Sequence, residues 1–87
     1  MAGVPGQGDP VKALVELLAR SLVERPDAVA VRLVEAPQET VIEVQVASED
    51  VGKIIGRGGR VIKAIRTLAR AAATRSGKRV NVEVLRP

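Results

Sequence analysis

Apolar residues recur at helical spacing near the start of the chain: Val11, Leu14, Val15, Leu18 and Leu22 fall on one stripe. Asp9-Pro10 supplies a capping side chain followed by a first-turn proline, and Pro26 stops the pattern. A first helix with one face on a core is predicted, with Leu17 and Val23 off its stripe and at the surface. Past the Pro26-Asp27 turn the period drops to two. Residues 29–34 alternate and are rich in β-branched side chains. After the turn at residues 36–39, residues 40–47 alternate again, with Ile42, Val44 and Val46 on one face and Glu43 and Gln45 on the other. These two strands predict an antiparallel hairpin, packed on one face and wet on the other.

Ser48-Glu49-Asp50 brings a hydroxyl and two carboxylates to the start of the next element, where a helix dipole favours them. A short apolar helix through Val51, Ile54 and Ile55 runs into Gly56-Arg57-Gly58-Gly59, and a longer helix starts at Arg60. Its expected apolar face is Val61, Ile62, Ile65, Leu68, Ala69 and Ala72, while Arg60, Lys63, Arg66 and Arg70 step along more exposed faces. It runs to about Thr74 and closes at Ser76-Gly77. Residues 79–85 form a last strand with Val80, Val82 and Val84 inward. The order is α-β-β-α-α-β, and three strands covered on one face by three helices bury these stripes most economically. The last two strands are joined through helices and are expected to run parallel if they are neighbours. Residues 1–8 carry no periodicity and are expected to form a flexible leader, leaving residues 9–87 as a single domain.

Composition narrows the chemistry. Cysteine, histidine and aromatic residues are all missing from the 87 residues, which removes disulfides, thiolate or imidazole metal sites and the commonest nucleophiles and bases. No catalytic, metal or cofactor site is expected. No apolar run approaches the roughly 18 residues that span a bilayer, and the default setting is the cytoplasm. Charge is unevenly placed. Residues 1–50 hold four basic against nine acidic side chains, whereas residues 51–87 hold ten basic against Glu83 alone, so the halves carry −5 and +9. That asymmetry points to a polyanion on the C-terminal half, with a solvated basic face as the bland alternative.

A glycine loop ahead of a helix N-terminus is a natural anion cradle. Two familiar versions fail here. No glycine is followed by lysine and then serine or threonine, as a Walker-type loop requires, and a dinucleotide fingerprint starting at Gly56 needs glycine or alanine where Val61 stands. The helix-loop-helix setting is wrong for both.

The stretch from Ile55 to Arg66 instead resembles the Gly-x-x-Gly core of KH domains, and the element order resembles their type II arrangement. The resemblance covers nearly everything from Asp9 onward, and the small size and the ending Arg79-Val80-Asn81-Val82-Glu83-Val84 after a short Ser76-Gly77-Lys78 loop are similar to the KhpA-type family of small bacterial single-KH proteins. It implies an α+β type II KH fold with a three-stranded mixed sheet, and a loop that clamps about four nucleotides of single-stranded backbone. Carried onto this chain, the RNA-binding set is Gly56, Arg57, Gly58 and Gly59, flanked by Lys53, Ile55, Arg60, Ile62 and Lys63. Arg66, Arg75, Lys78 and Arg79 extend a basic rim or serve only solubility. Ile54, Ile55, Val61 and Ile62 divide between core and base-lining groove.

The same resemblance implies a homodimer, a complex with a KhpB/Jag-type protein, and a role as an RNA chaperone in cell elongation and envelope growth. Ala69, Ala72 and Ala73 suit either close approach of a partner helix or a tight helix-sheet core. Without aromatics the domain cannot stack bases on rings, so recognition is expected to be permissive. RNA versus single-stranded DNA stays open at this level. The alternative function is an adaptor whose fold mainly mediates dimerisation. Arg57 between Lys53 and Arg60 argues against it, because a purely structural loop needs no such cations. Carboxylate-assisted hydrolysis is weakest, since the acids form no paired motif.

Overall fold

A computed structural model describes residues 9–74, 77 and 79–85. The expected leader, Ser76, Arg75 and Lys78 lie outside the described residues. Helix α1 (Pro10–Leu22) begins at Asp9, whose Oδ1 accepts the amides of Val11 (2.7 Å) and Lys12 (3.3 Å). Its inward row is Val11, Val15 and Ala19 at steps of four, with Leu18 and Val23 packed beside it. Leu22, expected on the stripe, is exposed. The small Ala19 lets the helix sit close to the core, and the backbone turns extended at Val23 before Pro26 is reached. Leu17 is exposed as expected, whereas Val23 is partly buried.

Strands β1 (Ala30–Glu35) and β2 (Glu39–Gln45) pair antiparallel, and β3 (Arg79–Val84) lies on the other side of β2 in parallel. The sheet order is β1-β2-β3. Val31, Ile42, Val44, Val80 and Val82 face the helices. Arg32 and Glu43 pair across the open face, where both the Nε–H and an Nη2–H of Arg32 donate to Glu43 Oε1. The two periods thus do what they predict, one face dry and one wet.

Helices α2 (Val51–Ile55) and α3 (Arg60–Ala72) follow, joined by the glycine turn. Ile54 is wholly buried, and Ile62, Ile65, Ala69 and Ala73 form the inward row of α3. Leu68 and Ala72, predicted on that row, are exposed. The alanines at 69 and 73 take the sheet side because they admit a closer approach than leucine, which rotates Leu68 outward. That settles Ala69 and Ala73 as core residues of this chain. Gly77 has φ +75 as the chain leaves α3 and returns as β3. No helix among the described residues is long and apolar enough to cross a membrane.

Candidate nucleic-acid interface

Three positive-φ glycines within four residues build the turn between α2 and α3: Gly56 (φ +76, ψ 169), Gly58 (φ +65) and Gly59 (φ +76). Their backbone bonds are mostly internal. Gly56 N–H donates to Gly52 O (2.8 Å), Gly59 N–H to Gly56 O (3.1 Å), and Arg60 N–H to Arg57 O. The amides of Arg57 and Gly58 stand outside that ladder at the exposed tip. No side chain caps the start of α3 and no acidic residue lies in its first turn, so the positive end of its dipole is uncompensated.

The expected cations do not all have the same standing. Arg57, Arg60 and Lys63 are exposed and form no ion pair among the described residues. Lys53 is held elsewhere: its ammonium lies 3.3 Å from Asp50 and 4.0 Å from Glu24. Ile62, expected at the interface, is in the core at 6 % exposure, whereas Ile55 and Val61 are half-buried beside the loop. Of the rim, Arg79 is exposed at the start of β3. Arg66 turns to the strand edge, where its Nε–H donates to the Val82 carbonyl (3.1 Å), and the Arg70 Nε–H approaches the Val80 carbonyl (3.5 Å). By the helical period Arg60, Lys63, Arg66 and Arg70 run down one side of α3, so the basic strip reaches about 15 Å from the loop along β3. Arg70 belongs to this strip although only its continuation of the three- and four-residue basic steps signals it in sequence.

Asp50 is the residue that sequence reasoning misplaces. Instead of capping α2 it is fully buried, and its carboxylate accepts the amides of Glu24 (3.2 Å) and Arg25 (3.1 Å) from the turn after α1. Those amides lie in the extended chain past the end of α1, outside any helix ladder, and a buried acceptor satisfies them. Ser48 and Glu49 stay exposed in the 3-10 turn before α2, with no side-chain cap. Burial alone would raise the Asp50 pKa. The two amides and the Lys53 ammonium outweigh it and hold the carboxyl below the ordinary aspartate value of 3.8. Because the folded value is the lower one, this stabilisation is fully present above the unfolded value and is lost as pH falls through the folded one. Asp50→Asn is therefore expected to lower stability at neutral pH and to flatten the pH dependence of thermal unfolding roughly between pH 5 and pH 2. An unchanged acid limb in that variant would remove Asp50 as its source.

A mixed sheet of this order under three helices, with a glycine turn between the second and third, defines a type II KH domain. The KhpA/KhpB KH-domain model matches residues 12–84, and the chain belongs to that family. It is 49% identical over 75 residues to the RNA-binding protein KhpA of Clostridium acetobutylicum, covering 86% of this chain and 100% of that one. To the RNA-binding protein KhpA of Caldanaerobacter subterraneus it is 50% identical over 72 residues, covering 83% and 96%. Among solved structures it is similar to Era in complex with a nucleotide and a segment of 16S ribosomal RNA, with TM-score 0.61 and 25% identity over 97% of this chain. The chain spans about a third of that Era chain, 34%. The family is one of KH-domain RNA-binding proteins, not of enzymes.

Proposed function

We propose that this chain is a non-enzymatic, single-stranded RNA-binding protein that holds the RNA backbone at the Gly56–Gly59 loop. The observation that carries the reading is the separation of charges. The described ion pairs all join residues between 16 and 53, and Arg57, Arg60 and Lys63 beside the loop have no carboxylate partner among the described residues. A strip of cations that the fold leaves unneutralised suits phosphate, and the outward amides of Arg57 and Gly58 add neutral donors. Relatives carrying the name RNA-binding protein KhpA support the same ligand.

One module without aromatic stacking grips weakly, so a second KH-bearing chain gives useful avidity. A homodimer or a KhpB/Jag-type partner fits that need, and the exposed Leu17 (63 %) and Leu68 (48 %) offer apolar surface for it. With these partners the protein acts in the cytoplasm as an RNA chaperone, and its family likeness extends the proposal to cell elongation and envelope growth. Those exposed leucines are also what favours the second reading, an adaptor with secondary nucleic-acid contact.

Titration of a labelled single-stranded RNA at increasing salt tests the first reading. Three to four phosphate contacts predict a log-log slope of about −2 to −3, at roughly 0.7 per contact on a single strand. Absence of binding, or a flat salt dependence, would leave the adaptor as the better account.

A further inference from the structure

Strand β3 is an edge strand, and α3 returns above its free side. Leu85 N–H donates to Val44 O in the ladder direction, while the Val80 and Val82 carbonyls meet arginines of α3, so Val80, Val82 and Val84 turn their peptide groups outward. An open edge of this kind normally alternates donors and acceptors at about 6.6 Å per two residues. At Val80 and Val82 the acceptors are covered. Arg66, half-buried, donates to Val82 O at 3.1 Å, and Arg70 approaches Val80 O at 3.5 Å. Val82 itself is 1 % exposed, so what this stretch of the edge offers a ligand is the outer N–H groups of the guanidinium.

The geometry points to Arg66, with Arg70 in support, as the residue that sets which bases are accepted alongside β3, by covering the edge acceptors at Val80 and Val82 and presenting guanidinium donors in their place. The inference rests on the RNA-binding reading above. Arg66 lies six residues along α3 from Arg60, about 9 Å from the loop, so a backbone held at the glycines brings its bases alongside this part of the strand. Splayed bases are read on their Watson–Crick and Hoogsteen edges. Guanine offers N7 and O6 as acceptors and uracil offers O4, whereas adenine and cytosine place an amino donor at the equivalent position. Against the guanidinium donors the amino group finds no acceptor and is left facing like polarity. Uracil and guanine are therefore favoured over cytosine and adenine. A lone cation acting on phosphate makes no such distinction.

The cleanest comparison is oligouridine against oligocytidine of equal length, since the two pyrimidines are nearly isosteric and carry the same backbone charge. The full chain is expected to bind the uridine strand at least about fivefold more tightly, the lower end of what one paired base contact discriminates. Arg66→Met frees the Val82 carbonyl and removes the charge, so affinity for both strands falls while the preference collapses toward unity. Equal binding of the two strands by the unmodified protein overturns the inference without any variant. Equal weakening of both strands by Arg66→Met, with the preference intact, makes Arg66 a phosphate contact and also overturns it. If neither strand binds, the RNA-binding reading itself fails and this inference with it.

Discussion

Changing Arg57 and Gly58 together to aspartate should abolish measurable RNA binding while leaving the fold in place. The loop tip then goes from one positive charge to two negative ones, directly where the proposed phosphates sit. A charge-assisted hydrogen bond is worth roughly 1.5–3 kcal/mol, and its replacement by repulsion adds to that loss. At about 1.4 kcal/mol per tenfold, affinity should drop by about a hundredfold or more. Stability should fall by no more than the backbone strain at Gly58. Arg57 is exposed without an ion pair among the described residues, and a Cβ on Gly58 meets no atom within 4 Å. Aspartate tolerates left-handed backbone better than most residues, so the strain at φ +65 is about 1 kcal/mol. Circular dichroism and thermal unfolding report the fold, and anisotropy of a labelled strand reports binding. A well-folded double variant with undiminished affinity would move the ligand away from this loop. The single change Arg57→Ala is the milder companion, expected to weaken all sequences alike and to reduce the salt slope by somewhat under one.

Much of this arrangement is legible in sequence because it depends on periodicity. Ile42, Val44 and Val46 alternate with Glu43 and Gln45, and the inward set is buried as their spacing requires. The parallel pairing of β2 with β3 follows from joining them through helices, and the glycines name the turn between α2 and α3. What sequence leaves hidden are contacts whose partner is backbone. Asp50 looks like a carboxylate set at a helix start for its dipole because it sits in Ser-Glu-Asp before a helix. Its true partners are two amides 25 and 26 residues earlier, and a free amide has no letter in a sequence. The same blindness covers Arg66 and Arg70, whose partners are carbonyls of β3. Lys53 reads as a free cation because nothing in sequence turns the Asp50 carboxylate inward beside its ammonium. The exposure of Leu68 has another cause: the rotation of α3 is decided by how closely Ala69 and Ala73 let it approach the sheet, a matter of fractions of a turn that an apolar stripe does not fix.

The three positive-φ glycines of the turn look equivalent in sequence, yet they differ in what surrounds them, and this difference yields a sharp stability prediction. A Cβ added at Gly56 would lie 2.8 Å from both Cβ and the backbone N of Val61 and against Val61 Cγ2, whereas Gly58 and Gly59 have open space. Val61 is in the first turn of α3 and packs partly on the core, so it cannot retreat without moving the helix start. Gly56→Ala therefore combines the roughly 1–3 kcal/mol cost of a nearly glycine-only backbone (φ +76, ψ 169) with an overpacking cost of roughly 1–3 kcal/mol. Gly58→Ala incurs only a left-handed penalty of roughly 1–2 kcal/mol. For a chain of this size 1 kcal/mol moves the midpoint by about 4–8 °C, so Gly56→Ala should melt at least about 10 °C lower than the parent and clearly below Gly58→Ala. Because the clash falls on the hinge between α2 and α3, the tip amides of Arg57 and Gly58 would also lose their setting, and RNA affinity should fall with stability in Gly56→Ala. In Gly58→Ala affinity should fall with the smaller loss of stability of the two. Equal melting temperatures for the two variants would show that Val61 can yield. The first glycine would then be there for backbone conformation alone.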